Sequence, residues 1–356
     1  MLINKTTLLI LISIFSFPLY ANNNKIISFD DDSLNNVFCT KTDCFFPGKC
    51  IGNKDIHVTN IINWNRGKNL ILHTKGNIVF KPKGKIIIMG DESIVLKAGM
   101  LPGSKKLYDS IVKFEGNNPQ IEMHGAGIVK IYYNPKKGRE KHKYHNPIFY
   151  DDVLPNLNLQ TYMLVNNIYD LQGITACLHC AYALSQNIDA SLTKKWNYSQ
   201  GRYEGFYPIM GFLNKAAFSG IFEGNNYVID GLYINRADEP NVGLFGDVTG
   251  VNEYKSTIKN LVLINSDITG QRCVGAVVGQ ATGIRLDNIT VPEDKNSVRS
   301  ILNEAQKEYG ILGWLAGCIL SNTHINLSTK GNSVNTSDKP LFGSCYNCNE
   351  EIVEDE

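Results

Sequence analysis

The chain is 356 residues long and almost neutral, with 35 Lys and Arg against 34 Asp and Glu. That length allows one or two domains around a sizeable core, and the charge balance argues against a nucleic-acid partner, which selects a basic excess. Frequent glycine (31 residues) and asparagines clustered at bends suit an all-β chain with many tight turns, because both residues tolerate positive φ at low cost.

Residues 1–21 read as a secretory signal peptide. Lys5 supplies the positive start, Leu8 to Phe17 is an apolar run interrupted by Ser13 and Ser16, and Pro18 ends it before a small residue at Ala21. The run is short for a bilayer span and no other stretch approaches that length, so a secreted or cell-surface location with no transmembrane span in the mature chain is expected. Residues 22–50 carry Cys39, Cys44 and Cys50 and are expected to cap one end of a solenoid. Outside the cytoplasm disulfides persist, and Cys39, Cys44, Cys50, Cys177, Cys180, Cys345 and Cys348 are the candidates. Cys273 and Cys318 stand alone in sequence, and the odd total of nine leaves a thiol free or paired with another chain. His179 lies between Cys177 and Cys180 but completes no standard ligand set, so no metal and no cofactor is expected.

From residue 51 to 135 short alternating apolar runs succeed one another: Ile56 to Ile61, Leu70 to His73, Ile78 to Phe80, Ile86 to Met89, and Ile94 to Leu96. Period-two runs of 3–6 residues separated by Gly, Asn and Lys are strands. Their brevity and regularity suit a chain that coils repeatedly, about 20–25 residues per turn, stacking each strand on its predecessor. Residues 136–160 interrupt the pattern with a basic stretch from Lys136 to Lys143 and prolines at 147 and 155, a lateral loop or a linker between two lobes. Residues 161–335 resume it, with a short helix expected over Asp170 to Leu178 and strands again from Tyr182. Residues 336–356 form a Cys-bearing C-terminal cap and acidic tail. Val298, Ile301, Leu302 and Ala305 share one helical face, which predicts a small amphipathic helix on the flank.

A local theme recurs: Val242-Gly-Leu-Phe-Gly246, Val274-Gly-Ala-Val-Val-Gly279 and Tyr309-Gly-Ile-Leu-Gly313. Its glycines, Gly243, Gly246, Gly275, Gly279, Gly310 and Gly313, are expected at coil corners. A Gly243→Val change should then damage folding if the corner needs positive φ.

Two stretches carry a resemblance. Ile56-His-Val-Thr-Asn-Ile-Ile-Asn-Trp-Asn-Arg-Gly-Lys-Asn-Leu-Ile-Leu-His73, followed by Gly76-Asn-Ile78, resembles the rod repeats of filamentous-haemagglutinin, two-partner-secretion exoproteins. The segment from Tyr162 to about Asn326, with the Val242–Gly246 and Val274–Gly279 turns, resembles GLUG-motif repeats. The resemblance implies a right-handed parallel β-helix, exported and commonly adhesive, and general crossover chirality implies the same hand. The N-P-N-L and N-P-N-G secretion motifs of that family are missing, and its members are usually longer.

Chemistry is sparse. Glycoside hydrolysis needs two carboxyl groups across a groove, and the candidates Asp30 to Asp32, Asp151, Asp152 and Asp287 fall on no shared strand face. His124-Gly125 is an isolated fragment of a pectin-hydrolase pattern, and no Gly-x-Ser-x-Gly elbow occurs. Trp64, Trp196 and Trp314 either plug the core or present rings to sugars. The reading expected from these features is a non-catalytic, adhesin-like β-helix that binds a host cell-surface glycan or protein and is able to self-associate end to end. A β-helix polysaccharide lyase or hydrolase and a passive surface component are the alternatives.

Overall fold

The computed structural model describes residues 55–300 except 66, 101–109, 136–146, 212–214 and 251–255, together with Thr323 and the outlying strands Ile27–Phe29, Asp43–Phe45, Lys49–Gly52, Ala316–Leu320, His324–Asn326 and Phe342–Cys345. The expected signal peptide, Cys39, Cys348, Gly310, Gly313 and Trp314 lie outside them.

The chain is a parallel β-helix. Ile56–Val58, Ile61–Trp64 and Leu70–Thr74 form one coil, and Ile78–Phe80, Lys85–Ile88 and Ile94–Ala98 form the next. The register places Ile56 against Ile78, Ile62 against Ile86, and Leu70 against Ile94. These six residues are all buried, so each inward position builds an aliphatic ladder along the stack. One coil alone leaves that row in water; each added coil buries another set, at about 1.5–3 kcal/mol per Leu or Ile side chain.

The coil length is not constant. Leu70 and its partner Ile94 are 24 residues apart, as the runs predict, whereas Ala181 and Ile221 are 40 apart. The additional residues form arms and loops between strands, and the stack itself stays in register. One long sheet runs without a break through the expected loop at 136–160, because Val129–Tyr133 pairs directly with Leu159–Val165. Within that loop Tyr150 and Leu154 are buried against the core, and the Tyr150 hydroxyl donates to the Val112 carbonyl. The helix expected after Asp170 begins slightly earlier, at Ile168–Gly173, followed by a 3-10 turn at Ile174–Ala176. Asn167 starts it, its side-chain oxygen accepting from the Tyr169 and Asp170 N–H groups.

The amphipathic helix expected around Val298 is not formed by its first member. Val298 lies in the strand Ser297–Ser300, paired with Ile268 and fully buried, while Ile301, Leu302 and Ala305 lie outside the described residues. The Asp267–Gly270 strand beside it supplies a template edge that local helical periodicity does not reveal.

The repeat turns stack in adjacent coils, with Val242 bridging to Val274 and Phe245 paired with Val278. Their glycines are needed for a reason other than the expected positive φ. A Cβ on Gly279 would meet the Asn241 carbonyl carbon at 2.3 Å, and one on Gly243 the Gly275 oxygen at 2.8 Å. The requirement is close approach of neighbouring backbones. Several left-handed corners fall to asparagine instead of to these repeat glycines: Asn225, Asn226, Asn260 and Asn288 all have φ between 50° and 59°. Three of them are joined side chain to side chain, Asn288 Nδ2 donating to Asn226 Oδ1 and Asn260 Oδ1. A second, buried ladder runs from Ser185 Oγ to Asn166 Oδ1 and from Asn166 Nδ2 to Asn134 Oδ1, both at 2.7 Å.

Candidate functional site

The segment between the strands Ile188–Asp189 and Ile221–Glu223 rejoins the stack at Ile209 and Phe218, bridged to Phe245 and Val248, and before that carries an arm. A 3-10 turn, Ser191–Lys195, leads into an antiparallel hairpin, Tyr198–Ser199 with Arg202–Tyr203. Gln200 and Gly201 form its turn, both at positive φ, as a two-residue hairpin loop requires. Tyr198 and Tyr203 face each other edge to face, 5.0 Å between centroids, and are 66% and 44% exposed. Beyond their contact with each other, these two rings keep apolar surface in water.

Behind the hairpin a ladder of rings leads inward. Tyr169, on the short helix, stacks on Trp196 at 5.2 Å, and Trp196 on the buried Phe206 at 6.4 Å. Gln172 ties helix to arm reciprocally, its amide nitrogen donating to the Tyr207 carbonyl and its oxygen accepting from the Tyr207 N–H.

A charged knot fixes the arm from below. The Arg236 side chain is 4% exposed and lies 2.7 Å from Glu239 and 3.4 Å from Glu204. It also donates to the Phe206 carbonyl and covers the Tyr207 ring at 4.6 Å. Lys215 donates to the Tyr207 hydroxyl at 2.9 Å and to Glu239 at 3.1 Å. Burial opposes ionisation of Glu239, but the hydrogen bonds and charges of Arg236 and Lys215 outweigh it, and the carboxyl titrates below its ordinary range. Such a carboxylate is an anchor, because a general acid needs the opposite shift.

Asp247 is held above its ordinary range, raised by burial and partly restored by a hydrogen bond from the Val248 N–H. Its register partner on the next coil is Gln280, an amide. The second carboxyl that glycoside hydrolysis demands is therefore not supplied at that position. Of the residues singled out from sequence, Asp151 and Asp152 are exposed on a 3-10 turn, Asp287 is paired with Arg285 at 2.6 Å, and His124 is an exposed turn residue. Trp64 is a core residue, 4% exposed, donating to the Lys68 carbonyl. Trp196 joins a surface-reaching ring stack. Nothing in the sequence reading points to Tyr169, Tyr198 and Tyr203; the glycine of the Gln200-Gly201 pair, which supplies one of the two positive φ angles, is the one local signal of the turn.

The cysteines divide. Cys177 and Cys180 are disulfide-bonded, as are Cys273 and Cys318, two residues that sequence grouping left single. Cys273 sits at a corner with φ 51° and Cys318 on a strand of the next coil, so their partnership follows no ladder position. Cys44 and Cys50 have backbones directly opposite in an antiparallel pair, and Cys345 lies on the strand beside Ile319. The sulfurs of Cys177 and Cys180 and a His179 nitrogen lie within 4.8 Å of one another, a grouping with metal-ligand atoms whose sulfurs are here bonded to each other.

Among the described residues no helix is long and apolar enough to cross a membrane. No family model matches the chain, and no solved structure matches it. It is similar to halomucin of Haloquadratum walsbyi, 35% identical over 123 residues, and to a protein described as a Gly-rich membrane protein of Evansella cellulosilytica, 39% identical over 90 residues. These segments cover 34% and 24% of this chain but 1% and 10% of the relatives, so the chain spans far less than two thirds of either protein it matches.

Proposed function

We propose that the chain is an exported, non-catalytic, adhesin-like β-helix that engages a glycan or another cell-surface ligand through its aromatic arm. The carrying observation is the hairpin that holds Tyr198 and Tyr203 in water beside the Tyr169–Trp196 stack. Flat apolar ring faces with polar neighbours suit the C–H faces of sugars. The Gln172 clamp and the Arg236 knot hold the foot of the arm at Phe206 and Tyr207, and the Arg202–Asp238 pair ties the hairpin itself, which supports this by lowering the ordering cost of binding. Location outside the cytoplasm is supported by two disulfides, by the similarity to halomucin and by the signal-like N-terminal sequence. The stacked Val242–Gly246 and Val274–Gly279 turns fit the reading of this half as GLUG-type repeats.

The test is a glycan array and cell-binding assay with the mature chain and a Tyr198→Ala/Tyr203→Ala double variant. Binding by the parent, reduced at least about tenfold in the variant with an unchanged melt, is expected. Uniformly negative binding, or binding indifferent to both rings, overturns the arm as the contact surface. Release of reducing sugar from a polysaccharide panel would favour the hydrolase alternative.

A further inference from the structure

We propose that the Cys177–Cys180 disulfide is a thiol–disulfide exchange centre, independent of the aromatic arm, that oxidises thiols outside the cytoplasm. Four observations bring it forward. The bond joins residues 3 apart, whereas Cys273–Cys318 joins residues 45 apart, so it constrains the unfolded chain far less. Its two cysteines are unequally exposed: Cys177 is half-buried and Cys180 is buried, which favours attack of an incoming thiolate at Cys177.

The loop also holds its shape through bonds other than the disulfide. Cys177 N–H donates to the Ile174 carbonyl, Cys180 N–H to the Cys177 carbonyl, and the Tyr182 hydroxyl to the Cys177 carbonyl at 2.9 Å. Tyr182 is fully buried, and that burial pushes its phenol well above the ordinary range, so it remains a donor. The Cys180 carbonyl accepts from the Ile221 N–H of the next coil. Opening the sulfur bridge therefore leaves both sulfurs at the same address. Finally, His179 is exposed and its Nε2 stands 3.5 Å from Cys177 Sγ, where an imidazolium would stabilise a thiolate.

A thiolate attacks Cys177 Sγ and forms a mixed disulfide; the electron pair of the broken bond leaves on Cys180 Sγ, which takes up a proton. A second thiolate attacks the other sulfur of the mixed disulfide and releases an external disulfide and the Cys177 thiolate beside His179. Two thiols are oxidised by two electrons and the protein disulfide is reduced to a dithiol. The substrate class is an accessible thiol, either a low-molecular-weight thiol or a cysteine pair in an unfolded protein.

The full mature chain is equilibrated with glutathione at graded reduced-to-oxidised ratios, alkylated under acid quench and mapped by mass. Cys177 and Cys180 should become labelled at ratios that leave Cys273 and Cys318 bonded, with the circular-dichroism signal intact. A Cys180→Ser variant should trap glutathione on Cys177. In the reduced chain, His179→Ala should slow alkylation of Cys177 about fivefold near pH 6.5 and leave it unchanged near pH 9.5, where the thiol ionises unaided. A parallel arm with a reduced, unfolded two-cysteine protein separates the substrates: faster oxidation of it than of glutathione assigns protein thiols, and the reverse assigns small thiols. Opening of Cys177–Cys180 no earlier than Cys273–Cys318, or only with loss of structure, overturns the proposal.

Discussion

The wall of the β-helix around residues 257–320 and its flank around residues 166–210 solve different problems with similar residues. In the wall, strands such as Thr257–Ile264 and Arg285–Thr290 pair in parallel along nearly their whole length, and Cys273–Cys318 links one coil to the next. On the flank, a short helix, a three-residue-spaced disulfide and a hairpin stand outside the register. The wall shows how covalent and packing constraints are placed where they resist unfolding. The flank shows them placed where they hold side chains out of the core.

Several measurements sharpen that contrast. The largest effect is expected from removing the wall disulfide: chain entropy gives about 4 kcal/mol for a separation of 45 residues and about 1.6 kcal/mol for a separation of 3. Cys273→Ser/Cys318→Ser should therefore lower the melting temperature by clearly more than Cys177→Ser/Cys180→Ser, and equal losses would erase the distinction. Next comes Gly279→Ala, expected to lose about 3 kcal/mol in denaturant titration because the new Cβ meets backbone that cannot yield. Gly67→Ala, at positive φ but in open space, should cost about 1 kcal/mol.

Smaller and pH-dependent is Glu239. Its carboxyl is lowered in the folded chain, so its contribution is present above the ordinary carboxylate range and is lost as pH falls through the lowered folded value. Glu239→Gln should destabilise the chain near pH 7 and be almost neutral well below pH 4. Asp247 has the opposite sign: raised by burial, it favours the fold while protonated, and that advantage fades as pH rises through its folded value. Asp247→Asn should therefore gain stability near pH 7. Smallest in stability is Tyr198→Ala/Tyr203→Ala, expected within about 0.5 kcal/mol of the parent because the rings pack mainly on each other.

The coiled architecture was legible wherever one residue in two faces inward. Ile56, Ile78, Ile86 and Ile94 announce both strand and ladder. Val298 was not legible, since its four-residue spacing to Leu302 fits a helix as well, and only a neighbouring strand decides between them. The corner chemistry was half legible. Glycine and asparagine were both expected at bends, but close packing claims the repeat glycines and left-handed backbone the asparagines. The arm was least legible, because Tyr198 and Tyr203 are adjacent only through a turn, and Arg236 reaches Glu204 from another coil. Cys177–Cys180 shows in the spacing; Cys273–Cys318 depends on how far a corner lies from a strand one coil later.

The hairpin of Asp43–Phe45 and Lys49–Gly52 bears on how such a stack terminates. Lys49–Gly52 runs with the long sheet, and Asp43–Phe45 runs against it as that sheet's outermost described strand on this side. A second molecule extending this wall by head-to-tail addition would present a strand of the wrong polarity for the parallel ladder. One reversal of chain direction thus ends the parallel ladder on that wall, and a further strand running with the stack would meet this edge in the antiparallel pattern.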